Sequence, residues 1–317
     1  MNRAEFNDMQ HICGIDTIEF ATDIKLERQI NGITTKTPLQ ACSSHGFLYK
    51  YKANPDKIIE SGGNNIDKFK LVLQYIAEHC KGAKELFISR IDYRFDDMTN
   101  DYYRFYKINR LLLSMVATYY NAKNRYTSSD LLTAEKLTVR FDHDSSDLHI
   151  SGEYYNKARQ EPNGDTKTRL ELRSRQLYIP FLDGCDYESF VLAEWLERLQ
   201  EVINKDNFST VIQTSTESLI DLYEKEQAEF ANVTEFLTCY RDNIYTTQQL
   251  TQLYSILNNA ETAKQCAYKY RHGDKKTKGR KLPCFSVVDL QLYVDKLTAA
   301  AFKFFESQTK SAGNNAA

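Results

Sequence analysis

The stretch Lys84–Asp97, KELFISRIDYRFDD, limits the possible folds more than any other part of the chain. Phe87, Ile91, Tyr93 and Phe95 fall on one phase of a two-residue alternation, and Arg90, Asp92, Arg94 and Asp96 fall on the other. That period belongs to a β-strand with one buried face. The aromatic side needs helices over it, while the opposite side sets two carboxylates and two guanidiniums in a row, about 7 Å between alternate residues. Such a row has two readings. It is either a set of cross-strand ion pairs worth a few tenths of a kcal/mol each, or a pair of carboxylates held on rigid backbone to bind a divalent cation through oxygen.

Composition narrows the setting. The chain has 317 residues, 42% hydrophobic and 26% charged, which suits a folded protein of one large or two ordinary domains. Its seven cysteines (Cys13, Cys42, Cys80, Cys185, Cys239, Cys266 and Cys284) are scattered and never form a CxxC pair. This argues against a disulfide framework or a thiolate metal site and predicts a reducing, cytoplasmic location. Glu5 and Asp8 precede any apolar run, and no segment has the apolar length of a membrane span, so neither export nor a membrane is expected. With a net charge of −2, any attraction to nucleic acid must come from local patches. The 21 tyrosines and 17 phenylalanines serve packing first and base stacking second.

Taken in order, the chain predicts strands at His11–Phe20, Ile24–Ile30 and Ala41–Lys52, with a turn at Asn31-Gly32. A helix capped by Asn64 or Asn65 runs from Ile66 to about Cys80. The central strand follows, then a helix of about twenty residues from Asp101 without Gly or Pro. Further strands fall at Lys136–Asp142, Leu148–Arg159 and Lys167–Arg175. From Asp186 the pattern is helical: Asp186–Ile203, Thr216–Phe230, Val233–Ile244, Thr246–Leu257, Ala260–Tyr270 and Ser286–Phe305. The expected architecture is α+β, an antiparallel or mixed sheet with two helices on one face and the other face open, followed by a helical domain. The boundary near Gly184 gives domains of residues 1–184 and 185–317.

Two local signals bear on function. Asn163-Gly164, read as a two-residue hairpin loop, sets Asn156 opposite Glu171, Tyr154 opposite Arg173 and Ala158 opposite Arg169. Glu171 then joins Asp92 and Asp96 as a third carboxylate, at the cost of a bulge near Gly152. Separately, KYRHGDKKTKGRK gathers Lys269, Arg271, Lys275, Lys276, Lys278, Arg280 and Lys281 against one Asp274. A helix, helix, basic loop, helix order suits a winged-helix-like DNA module with the loop on phosphates. A solvated linker is the plainer reading of the same charge run.

The order RIDYRFDD, long helix, YYNKARQE, hairpin, RLELRSR resembles replication initiators of small rolling-circle plasmids and the related relaxases of conjugative elements, over about Leu86–Gln176. The resemblance implies a Rep/relaxase-like endonuclease that initiates replication of a plasmid or mobile element at its origin. Asp92, Asp96 and Glu171 would hold Mg²⁺ or Mn²⁺, with Lys157 and Arg173 as phosphate-side cations and Arg90 and Arg94 as further DNA contacts. A tyrosine would attack the scissile phosphate, since a phenol of pKa about 10 needs a cationic neighbour to act near neutrality. The family's Y-x-G-x-R segment is missing, Phe141 standing about where it belongs, which leaves Tyr126 and Tyr154 as candidates. Host replication proteins and a second copy of the chain are the expected partners besides origin DNA. Two other classes remain open: a non-catalytic origin-binding or regulatory protein, and a metal-dependent nuclease acting through water.

Overall fold

The computed structural model describes residues 11–27, 29–36, 39–43, 46–60, 65–97, 102–120, 123–124, 139–144, 149–155, 157, 168–181, 190–273, 278–279 and 282–306. Its architecture is α+β, with an antiparallel sheet and a helical C-terminal part. The strands are β1 (His11–Thr22), β2 (Ile33–Thr35), β3 (Leu39–Ser43), β4 (Gly46–Ala53), β5 (Leu86–Asp97), the two-residue β6 (Lys123–Asn124), β7 (Val139–Asp144), β8 (His149–Tyr155) and β9 (Thr168–Pro180). The helices are α1 (Pro55–Ile58), α2 (Ile66–His79), α3 (Tyr102–Tyr119), α4 (Phe190–Val202), α5 (Lys205–Glu226), α6 (Val233–Cys239), α7 (Thr247–Leu257), α8 (Ala263–His272) and α9 (Val287–Phe305). Ile24–Ile30 is not a strand; only Ile30 bridges to Ile33, across a turn where Gly32 takes φ 71°. A side chain at Gly32 would also strike Ile58 at 2.5 Å, so the Asn-Gly signal marks a turn pressed against α1.

Two compact units interleave along the chain: residues 9–100, 142–198 and 294–317 in one, residues 1–8, 101–141 and 199–293 in the other. The first contains the strands β2-β4-β1-β5-β9-β8, adjacent in that order, with β3 on β4. β5 lies between β1 and β9 and pairs antiparallel with both. Its odd residues Ile91, Tyr93 and Phe95 share a face with Ile15, Cys13, Leu170 and Leu172, all buried. On this side Trp195 of α4 donates from Nε1 to Ser174 Oγ at 3.0 Å, and Phe20 stacks on Tyr51 at 5.4 Å. Asn65 caps α2 by accepting from Lys68 N, and the helix buries the stripe Ile66, Phe69, Val72, Leu73 and Ile76.

The second unit gathers α3 with the C-terminal helices. The long apolar run of α3 explains its place there: Phe105, Ile108, Leu111, Leu112 and Met115 are buried. Its polar residues are tied in the same unit, Asn109 to Tyr293 Oη at 2.9 Å and Arg110 to Tyr245 Oη at 3.1 Å and Asn243 Oδ1 at 2.5 Å. The helix predicted to open at Thr216 begins at Lys205 instead, capped by Asn204 accepting from Asn207 N at 2.9 Å. Among the described residues no helix is long and apolar enough to cross a membrane.

One residue of α3 carries a measurable strain. Lys107 is fully buried, and its amine has no hydrogen-bond partner among the described residues. Burial pushes its pKa down to about 7; Cys284 and Asp242 oppose that shift, while Arg241 and Arg110 add to it. The unfolded chain holds this proton up to 10.5, so between about pH 7 and 10.5 unfolding binds protons and stability rises with pH. Below that window the folded state bears the whole cost. Lys107→Met is therefore expected to raise Tm by about 2 °C or more at low pH, with the gain shrinking toward pH 10. Thermal melts across this range would expose an error if the gain were independent of pH.

Candidate active site on the polar sheet face

Three cross-strand rows build the site from the backbone outward. Thr17, Asp92, Arg173 and Ser151 face one another across β1, β5, β9 and β8. The next row is Gly14, Arg94, Glu171 and Glu153, and the third is Ile12, Asp96, Arg169 and Tyr155. Directly opposed residues in antiparallel strands lie on one side of the sheet. Asp92, Asp96 and Glu171 therefore share a face, as the alternation of β5 predicts. A fourth acid arrives through an irregularity: the register of β1 on β5 shifts between Ile15 and Thr17, and Asp16 occupies the extra position. A bulge of this type re-aims a side chain that strict alternation would send away.

Carboxylate oxygens of Asp16, Asp92 and Glu171 lie within 4.8 Å of one another. Each of these acids also holds a guanidinium. Arg90 grips Asp92 with two bonds of 2.6 Å, Arg173 donates to Glu171 Oε2 at 2.5 Å, and Arg169 donates to Asp16 Oδ1 at 2.5 Å. Thr17 donates to the second oxygen of Asp16 at 2.9 Å, and Tyr155 donates its phenol proton to Glu171 Oε1. Arg173 spans further, to Glu153 at 2.6 Å and to within 3.8 Å of Asp92. Asp96 is elsewhere occupied, bidentate with Arg169 at 2.6 and 3.1 Å and 3.4 Å from Arg94 Nε. Arg94 reaches out to Asp56 of α1 at 2.5 Å.

Burial sets the electrostatics. The expectation of an open face is corrected here, because Asp92, Asp96, Glu171, Arg94 and Arg169 are all no more than 5% exposed. The charged side chains lie along the sheet and pair with one another rather than standing into solvent. Burial pushes the Asp92 carboxyl up, outweighing the pull of Arg90 and Arg173, and Glu171 adds to the rise. Glu19 goes the other way: burial alone would raise it, but Lys36, Arg90 and Lys50 hold it low. Burial, the Glu171 carboxylate beside it and the bond it donates there drive the Tyr155 phenol upward, against a downward pull from Arg169. Burial would lower Arg173, yet Glu171, Glu153 and Asp92 raise it.

The hairpin register differs from the one the sequence suggested. Glu153, not Asn156, opposes Glu171; Ser151 opposes Arg173; Tyr155 opposes Arg169. The offset is three residues, and Asn163-Gly164 lie outside the described residues. An odd offset exchanges the faces. Tyr154 accordingly sits opposite Leu170 on the apolar side, 2% exposed, and Tyr155 takes the polar side. The pairing of β8 with β9 runs without a bulge at Gly152, since this register already brings Ile150 and Tyr154 into phase with Leu170 and Leu172.

The close acidic triad contains Asp16, which the sequence reading missed, and not Asp96. Arg90 and Arg173 border the triad, and Lys157, just past β8, is buried. Tyr126, Lys275, Lys276, Arg280 and Lys281 lie outside the described residues. Lys269, Arg271 and Lys278 belong to the other unit, on and after α8. Two signals for the missed residues were present in the chain: Asp16 interrupts a run of apolar alternation in HICGIDTIEF, and the pair Tyr154-Tyr155 offers one tyrosine to each face whatever the register.

No protein-family model matches the chain, and no curated protein matches it. Among solved structures, a rolling circle replication initiator protein from Geobacillus stearothermophilus aligns with a TM-score of 0.24 at 14% identity, covering 52% of this chain and 75% of that one.

The buried state of the network has its own test. Arg90→Met leaves Asp92 without its bidentate partner and is expected to cost about 3 kcal/mol, the penalty of an uncompensated buried charge. Adding Asp92→Asn should recover more than half of that loss. Urea unfolding of the two variants decides it: a loss below about 1 kcal/mol would mean that the pair is screened like a surface ion pair.

Proposed function

We propose that the chain is a replication initiation protein of a plasmid or other mobile element, and that the polar sheet face cuts and rejoins one DNA strand at the origin. The observation that carries this reading is the triad Asp16, Asp92 and Glu171, three carboxylates converging within 4.8 Å with a tyrosine phenol bonded to one of them. The order of the RIDYRFDD, YYNKARQE and RLELRSR segments supports it independently.

The donor set fits a hard divalent cation, Mg²⁺ or Mn²⁺, because all three ligands are oxygen. Each carboxylate oxygen already accepts a proton donor, yet an ionised carboxylate offers about four lone-pair sites, so acceptor capacity remains. Such an ion supplies neutralising charge to a phosphate and to a developing phenolate. The protein's own groups do the rest. In this proposal the Tyr155 oxygen bonds to phosphorus while the bond from phosphorus to the 3′ oxygen breaks. Glu171, the acceptor of the phenol proton, is placed to take it. The departing 3′ oxygen takes a proton from water, and reversal of the same steps rejoins the strand. In this reading Arg173 and Arg90 would meet phosphate oxygens, their guanidiniums having a fork geometry suited to them. Lys157, just past β8, would add a further phosphate-side cation. Burial and the Glu171 carboxylate hold the Tyr155 phenol in its protonated form at neutral pH, so the attack needs Glu171 to accept that proton.

A second reading has its own observation. All six oxygens of the triad accept hydrogen bonds from Arg90, Arg169, Arg173, Thr17 or Tyr155, a closed network that suits a non-catalytic origin-binding or regulatory protein. The two separate in one assay with single-stranded origin DNA and Mn²⁺. The proposal expects a covalent protein-DNA product that Tyr155→Phe abolishes and Tyr154→Phe preserves. Asp16→Asn should lower the yield about tenfold or more, while Asp96→Asn has a smaller effect. A covalent product that survives Tyr155→Phe would remove Tyr155 from the role, and free nicked ends would point to water as the attacking group. A mobility shift alone would leave the binder.

A further inference from the structure

The helical unit contains an arrangement separate from the sheet. Helices α7 and α8 are joined by a short turn and pack through Leu250, Leu253 and Tyr254 against Ala263, Ala267 and Tyr270, with Phe236 and Leu237 of α6 in the same core. After α8 the chain forms an antiparallel bridge, Gly273 to Lys278. Gly279 then passes so close to the end of α8 that a Cβ would lie 2.2 Å from Arg271 O, a proximity open only to glycine. The chain returns beside the segment that precedes α7, where Phe285 N donates to Tyr245 O at 2.8 Å. Three helices followed by a chain reversal at Gly273 and Lys278 that lies against the last of them suit a winged helix-turn-helix.

The outer side of the α7–α8 pair is a cleft of about 670 Å³. Gln248 and Gln252 of α7 and Lys264, Tyr268, Arg271 and His272 of α8 line it. Every ionisable acid-base group in that lining other than Tyr268 is basic, although the whole chain is net −2. Glu261, the nearest acid in sequence, falls outside the lining. Tyr268 is 64% exposed and tilts onto His272 with ring centroids 4.6 Å apart. Arg271 donates to Thr247 Oγ1 at 2.7 Å, holding the end of α8 against the start of α7. Lys278 places an exposed cation at the bridge after α8.

We infer that α8 and the α7–α8 cleft read the major groove of double-stranded DNA while Lys278, at the bridge after α8, rests on its phosphates. A helix with side chains is about 10–12 Å across and the B-form major groove about 12 Å wide, so α8 fits it. Carboxamides such as Gln248 and Gln252 pair with adenine edges, and Tyr268 supplies apolar surface for a thymine methyl. Among the described residues the cleft lining holds no acidic group, which matches a polyanion rather than an acidic or apolar protein surface. This deepens the DNA part of the proposed function by giving duplex recognition a site of its own, chemically independent of the acidic triad.

The test uses the full chain in EDTA, so that strand cleavage plays no part. Selection from duplexes with a randomised centre should enrich one motif, and fluorescence anisotropy should then show that duplex bound more tightly than its separate strands or the matching RNA duplex. Gln252→Ala and Tyr268→Ala, both surface changes checked by thermal melting, should each weaken the selected duplex about tenfold and leave a scrambled duplex nearly unchanged. Lys278→Gln should weaken both equally and flatten the slope of log K against log salt by about one unit. Tyr155→Phe should bind as the parent does, which separates failure here from failure of the nicking proposal. Lack of an enriched motif, equal binding of single strands, or unaltered selectivity in the Gln252 and Tyr268 variants would overturn the inference.

Discussion

The sheet unit depends on one electrostatic condition: each charge on its polar face must find a partner on a neighbouring strand. Taking a carboxylate or guanidinium out of water costs several kcal/mol even after relaxation. Asp92, Asp96 and Glu171 tolerate burial because Arg90, Arg169 and Arg173 lie against them with short, charge-assisted bonds. Such a network specifies strand register from the polar side as strongly as Ile91, Tyr93 and Leu172 specify it from the apolar side. A slip of one residue would strand several charges at once.

That condition also explains how a site can sit within a structural lattice. The bulge in β1 lifts Asp16 toward Asp92 and Glu171, creating a local excess of acid that Arg169 and Arg173 offset from the edges. Tyr155 donates into the same cluster, so a phenol, three acids and two guanidiniums are held on strands rather than on loops. Rigid backbone gives better positional control than a loop, which suits the phosphate contacts of the proposed function. The resting network is closed by hydrogen bonds, and a phosphate would have to draw the guanidiniums toward itself.

Charge in the helical unit is arranged on a different principle. Around the α7–α8 cleft the basic groups are not matched by acids among the described residues, and Arg271 and Lys278 lie on elements whose relative placement depends on Gly279. A locally basic cleft thus belongs to a chain of net charge −2, in which acids elsewhere outnumber bases. Net charge alone therefore says little about what this protein binds.

Much of this was legible in the chain because alternation and helical period are local properties of sequence. The strand of Leu86–Asp97, the Asn65 cap, the Asn31-Gly32 turn and the basic run after α8 all follow from residues a few positions apart. What tertiary structure alone decided was which distant residues meet. The β8 register differs by three from the one a two-residue loop would set, which exchanges Tyr154 for Tyr155, and a bulge replaced Asp96 by Asp16 in the close acidic cluster. Burial of α3 among the C-terminal helices was likewise hidden, since its apolar run names no partner. The physical reason is the same in each case: periodicity records which way a side chain points along its own element, whereas loop length, bulges and packing between elements fix what it points at.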